Sequence, residues 1–159
     1  MKASTCVAVS LSLLFASSVT AVAMSPADPD DDGAICPQPL ANSVEDSVAQ
    51  IQGWIDLQVS FRRGEWRCDD DAVAKRYSDF TMRMLAQHWR DIDLLARLVP
   101  IDPDFKKFVL HHIDDTWIPA ELDLAIANAT NRCPDNARLL CVAIREKAMQ
   151  LRKADARGD

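Results

Sequence analysis

Apolar residues recur at intervals of three and four through most of the chain beyond residue 43, and this spacing constrains the fold more than any other feature. In the first such segment they stand at Val44, Val48, Ile51, Ile55 and Val59, on one face of an α-helix. The alternation expected of β-strands is nearly absent, and four glycines are too few for the tight turns of hairpins. The sequence therefore predicts an all-α fold, a small up-and-down bundle of about five helices.

Capping residues and prolines predict where these helices begin and end. The first is expected to run from Ser43 to Gly64, and the second, the longest, to end before Pro100. The remaining three are expected to begin at Asp102 with Pro103, at Pro119, and at Pro134 or Asp135. Trp54 and Trp89 lie within amphipathic segments, so we expect both indoles in the core.

Residues 1–23 have the composition of a secretory signal peptide. Lys2 precedes an apolar stretch at residues 6–14, and the segment ends in Ala21, Val22 and Ala23. The apolar stretch is shorter than the roughly 20 residues that a spanning helix needs. We therefore expect cleavage after Ala23, export to a periplasm or to the medium, and no membrane span in the mature chain.

The segment after the signal peptide is acidic and rich in proline. Residues 24–42 are expected to form an extended leader, followed by a helical domain at 43–154 and a polar tail at 155–159. Without residues 1–23 the chain has 17 Lys and Arg against 24 Asp and Glu, a formal charge of −7. Such a charge disfavours nucleic acid and anionic lipid, and it favours a basic partner.

Four cysteines remain after the signal peptide, namely Cys36, Cys68, Cys133 and Cys141. An even number in an exported chain predicts two disulfides, because zinc sites of four thiolates use close pairs that are absent here. Three pairings are possible, and spacing does not select among them. A bond between Cys133 and Cys141 requires Cys133 to lie outside a helix, because eight helical residues span about 12 Å.

Two weak patterns suggest an alternative function in metal binding. Residues 28–33 place Asp28, Asp30 and Asp32 as in an EF-hand calcium loop, but Pro39 stands where the loop needs a glutamate. His111 and Asp115 have the spacing of one helical turn, and a third ligand would complete a transition-metal site. The ordinary interpretations are a solvated acidic leader and a surface pair.

The motifs that carry catalysis are absent from the sequence. It contains no nucleophile elbow, Gly-rich phosphate loop, zinc-protease motif or haem attachment motif. Cysteines held in disulfides are not nucleophiles. We therefore expect a protein that is not an enzyme and that needs no cofactor.

Three aromatic residues are predicted to meet at one end of the bundle. Trp66 lies between the first and second predicted helices and Trp117 between the third and fourth, so the two turns share an end, with Phe61 nearby. Such a cluster is typical of the anchor of a protein interface. The alternative is that both indoles close the core. The leading hypothesis is a binding module that contacts another protein, as inhibitors and immunity proteins do.

Overall fold

The computed structural model describes residues 36–69 and 71–157, and within them every regular element is helical. The predicted all-α fold is confirmed, although the described residues form seven α-helices where about five were predicted. These are α1 (Gln38–Val48), α2 (Trp54–Arg62), α3 (Asp71–Met82), α4 (Ile92–Leu98), α5 (Pro103–His111), α6 (Pro119–Asn131) and α7 (Arg138–Arg157). The predicted signal peptide and residues 24–35 of the predicted leader lie outside the described residues.

The first predicted helix is two helices, α1 and α2. Helix α1 begins at Gln38, before the predicted start at Ser43, because Pro39 lies in the first turn, where a missing N–H costs nothing. The predicted leader therefore ends earlier than residue 42. Helix α2 begins separately because the Asp56 carboxylate accepts hydrogen bonds from the N–H groups of Gln52 and Gly53, each at 3.1 Å.

The second predicted helix is interrupted between α3 and α4. A π-helical segment at Arg83–Gln87 and a 3₁₀ turn at Trp89–Asp91 separate them. The Asn128 side chain of α6 donates hydrogen bonds from Nδ2 to the Leu85 and Ala86 carbonyl oxygens, at 3.1 and 3.0 Å. The widened turn of a π segment frees backbone carbonyls from their usual partners, and Asn128 satisfies two of them.

The C-terminal half is built on the packing of α6 against α7, the most extensive helix contact in the described residues. Helix α7 continues to Arg157, past the predicted end of the helical domain at residue 154. Neither α7 nor any other helix of residues 36–69 and 71–157 has the length and apolar character to cross a membrane.

Two disulfides join the four cysteines, as predicted. Cys36 is bonded to Cys68, which ties the segment before α1 to a 3₁₀ turn at Glu65–Cys68. Cys133 is bonded to Cys141 of α7, and it lies in the loop after α6, outside a helix as this pairing requires. Disulfides are typical of oxidising compartments, so both bonds are consistent with a location outside the cytoplasm.

The core contains both tryptophans that were predicted there, Trp54 and Trp89. The Trp89 indole Nε1 donates a hydrogen bond to the Arg132 carbonyl oxygen at 2.8 Å. Ile55 and Val59, however, are exposed, although the helical spacing predicted them on the buried face. The break between α1 and α2 removes their common helical phase, so α2 buries other residues of its own.

Candidate functional site

A groove opens where the end of α2, the following 3₁₀ turn and α5 meet. Its volume is about 650 Å³, within the range of ligand-binding clefts. We call it the Trp66 groove, and its lining consists of Phe61, Trp66, Asp69, Asp102, Asp104, Lys107, Phe108 and His111. The groove thus combines aromatic rings with charged side chains.

Local backbone geometry places Trp66 at this position. Gly64 follows α2 with φ +78°, a left-handed conformation that ends a helix and that other residues adopt at a cost. The chain then turns directly into the 3₁₀ segment that contains Trp66. Cys68 ends this segment, and its disulfide to Cys36 holds the turn in place.

The aromatic side of the groove extends into the core. The Phe61 ring stacks on Trp66, with 6.0 Å between centroids, and lies 5.6 and 5.2 Å from the rings of Phe105 and Phe108. Phe105 and Phe108 are buried, whereas Trp66 is 41% exposed. Buried rings therefore support an indole that is half open to solvent.

Three carboxylates and one lysine line the groove. Asp102 accepts a hydrogen bond from the Phe105 N–H at 3.1 Å, which caps α5, and lies 3.4 Å from the Arg62 guanidinium. Asp104 pairs with Lys107 at 2.8 Å. Asp69 has no lysine or arginine partner among the ion pairs of the described residues.

Asp69 instead leads into a buried polar chain behind the groove. Its Oδ2 lies 3.2 Å from His112 Nε2, and His112 Nδ1 lies 3.2 Å from the Ser78 hydroxyl. The Ser78 hydroxyl donates a hydrogen bond to Asp114 Oδ2.

The buried polar chain of Asp69, His112, Ser78 and Asp114 has the residue types of a serine hydrolase triad. It lacks the access to solvent that a substrate would need to reach it. Ser78 and His112 are each only 1% exposed, and the serine proton points to Asp114, away from the imidazole. The contacts join the turn before α3, α3 itself and the end of α5. We interpret these buried polar contacts as structural, because they hold the wall of the groove that contains Asp69.

A second buried network supports the same 3₁₀ turn. The Ser60 hydroxyl donates to Glu65 Oε2 at 2.6 Å, and it lies 2.8 Å from the Tyr77 hydroxyl, within hydrogen-bond distance. Burial raises the pKa of Tyr77 to about 12, and the nearby carboxylates of Glu65 and Asp69 act in the same direction. The hydrogen bond with Ser60 opposes this shift but does not cancel it.

The predicted aromatic patch is wrong in one of its three members. Phe61 and Trp66 are in contact, but Trp117 is 5% exposed and lines a separate cavity with Leu122 and Leu151. Its Nε1 donates a hydrogen bond to the His112 carbonyl oxygen at 3.1 Å. Trp117 therefore closes the core, which was the alternative interpretation.

The predicted metal pair is not assembled. Helix α5 ends at His111, so Asp115 lies in the next turn and not one helical turn away on the same face. His111 lines the Trp66 groove, whereas Asp115 lines a different cavity. Across residues 36–69 and 71–157, no three His, Cys, Asp or Glu side chains are grouped to hold a metal ion. The acidic loop at residues 28–33 lies outside the described residues.

Comparison of the chain with family models, with curated proteins and with solved structures found no match. The function is therefore inferred from the residues of the Trp66 groove. The sequence predicts that Phe61 and Trp66 lie together, but it does not predict the three carboxylates of the groove, which come from two separate parts of the chain.

Proposed function

We propose that this protein is an exported binding module that contacts another protein through the Trp66 groove. The observation that carries the proposal is the half-exposed Trp66, which stacks on Phe61, and Phe61 in turn contacts the buried rings of Phe105 and Phe108. Tryptophan is the residue type most enriched among interface residues that dominate binding energy, and arginine is another. Arg62 and Arg67 adjoin the groove.

A rigid foundation makes Trp66 suitable for this role. An anchor that is already ordered loses little conformational entropy on binding. The 3₁₀ turn is fixed by the Cys68 disulfide and by the hydrogen bond of Glu65 to Ser60. The groove thus offers a preorganised aromatic surface to a partner.

Export accords with both disulfides and with the composition of residues 1–23. The partner is then met in a periplasm or outside the cell. The buried serine and histidine behind the groove favour binding over catalysis, since a substrate has no path to them in this arrangement.

The test is affinity capture with the full-length chain, produced with its own N-terminal segment and purified oxidised. A native extract supplies the partner, and a reduced and alkylated sample is the reference for nonspecific capture. We expect Trp66→Ala to weaken binding of the captured partner by about 30-fold or more, as for a dominant interface tryptophan. The free energy of unfolding of the Trp66→Ala protein should fall by less than about 1.5 kcal/mol, because the substitution removes one ring contact.

Two variants control this experiment. Leu139→Ala removes an apolar side chain that is 84% exposed at the start of α7, and it should leave capture unchanged. Trp117→Ala should lower the free energy of unfolding by about 3 to 5 kcal/mol, because this indole is buried. A folded Trp66→Ala protein that captures the partner as well as the unmodified chain would refute the proposal.

A further inference from the structure

We infer that the Trp66 groove receives a cationic side chain, a lysine or arginine, from the protein partner. This inference rests on the proposed function and specifies the chemistry of the group that enters the groove. It follows from the charges and the aromatic rings of the groove itself.

The net charge of the helical part does not by itself select a basic partner. Residues 36–157 contain 19 Asp and Glu against 17 Lys and Arg, so the acidic excess of the chain lies mostly outside them. A preference for cations must therefore come from local arrangement. Among the described residues, the Trp66 groove provides such an arrangement.

Two of the groove's carboxylates are largely withdrawn from water. The side chains of Asp69 and Asp102 are 15% and 19% exposed, whereas Asp104 lies at the rim and is mostly exposed. A charge that is partly desolvated attracts an opposite charge more strongly than one in bulk water. An incoming cation is therefore attracted most strongly to the inner part of the groove.

Asp69 carries a negative charge that no lysine or arginine among the described residues pairs with. Its Oδ2 faces His112, and its Oδ1 is closed to solvent, so an entering side chain does not reach Oδ1. A cation in the groove therefore acts on this carboxylate through the attraction between opposite charges. Lysine and arginine carry such a charge, and glutamate does not.

The aromatic rings suit the rest of a long cationic side chain. The methylene stems of lysine and arginine pack on apolar surface while their charged ends reach polar groups, and a cation is also attracted to an indole face. The chain already shows this second contact, because the Arg67 guanidinium carbon lies 5.5 Å from the centroid of the Trp66 ring.

An anionic side chain fits the groove less well. Two of the cations nearest to it are already paired, Lys107 with Asp104 at 2.8 Å and Arg62 with Asp102 at 3.4 Å, and a third, Arg67, lies over the Trp66 ring. An entering carboxylate would have to displace one of these partners or draw Arg67 away from the indole, and it would approach the Asp69 carboxylate. Like charges in a partly desolvated groove repel.

The experiment titrates the oxidised full-length chain with capped tripeptides, acetyl-Gly-X-Gly-amide, in which X is Arg, Lys, Glu or norleucine. The indole N–H resonance of Trp66 in NMR spectra, assigned with Trp66→Phe, reports binding. We expect the Arg and Lys peptides to bind with Kd values in the millimolar range, at least about 10-fold tighter than the Glu peptide. Added salt should weaken this binding.

Asp102→Asn is the decisive variant. Asparagine caps a helix as well as aspartate does, so α5 keeps its start while the groove loses one charge. We expect the Arg peptide to bind about 3- to 10-fold more weakly. Asp115→Asn, in a different cavity, is the matched control and should leave the Kd unchanged.

The inference is wrong if the Trp66 resonance does not shift with the Arg and Lys peptides up to about 20 mM. It is also wrong if the Glu peptide binds as tightly as the Arg peptide, or if Asp102→Asn leaves the Kd of the Arg peptide unchanged. The proposed function fails separately. If Trp66→Ala abolishes partner capture while the cationic peptides do not bind, the binding module stands and only its ligand chemistry is wrong.

Discussion

Tyr77 is the only tyrosine of the chain, so its ionisation is directly observable. Its pKa is raised from 10.0 to about 12, chiefly by burial. We expect absorbance near 295 nm to show tyrosinate only as the pH approaches 12 in the folded protein, and near 10 in denaturant. A midpoint near 10 in the folded protein would contradict the buried position.

The raised pKa of Tyr77 also predicts how stability depends on pH. The folded state keeps the proton more tightly than the unfolded state, so this contribution is complete below pH 10 and is lost as the pH rises towards 12. A shift of about two units corresponds to about 2 to 3 kcal/mol. Tyr77→Phe should lack this particular loss, and comparing the alkaline unfolding of the two proteins measures it.

Single residues differ in how well the sequence predicts their environment. Trp54 and Trp89 were correctly assigned to the core, because each lies within an apolar helical pattern. Trp117 was not, because its position depends on a hydrogen bond to a backbone carbonyl in a turn. The contact of Asp69 with His112 joins residues 43 positions apart, and no local pattern marks such a pair.

Helix starts were predicted better than helix interruptions. Asp102 and Pro119 begin α5 and α6 as expected, because capping and first-turn prolines are local effects. The interruption between α3 and α4 depends instead on Asn128, which reaches it from a helix more than 40 residues later. Propensity within one segment contains no information about that partner.

The π segment should accordingly depend on Asn128. Asn128→Ala removes both donors to the Leu85 and Ala86 carbonyls, and we expect the free energy of unfolding to fall by about 2 to 3 kcal/mol. Urea unfolding at pH 7 measures this loss. Asn131→Ala, at the exposed end of the same helix, should change stability by less than about 0.5 kcal/mol. Equal effects of the two substitutions would show that the amide is not what holds the π segment.

The two disulfides have different consequences for the molecule. Cys36 and Cys68 are 32 positions apart and Cys133 and Cys141 are 8 apart, so the first bond restricts the unfolded chain more. Chain-entropy arguments give about 3.7 kcal/mol for the first bond and about 2.5 kcal/mol for the second. Only the first bond is adjacent to the groove, because Cys68 ends the turn that contains Trp66.

Removal of each bond should therefore separate stability from binding. We expect Cys36→Ser with Cys68→Ser to lower stability and also to weaken partner capture and the Arg-peptide titration at Trp66. Cys133→Ser with Cys141→Ser should lower stability while leaving both binding measurements unchanged under conditions where the protein stays folded. If the second pair weakens binding as much as the first, the groove depends on the stability of the whole helical unit, and the tie at Cys68 has no special role in shaping it.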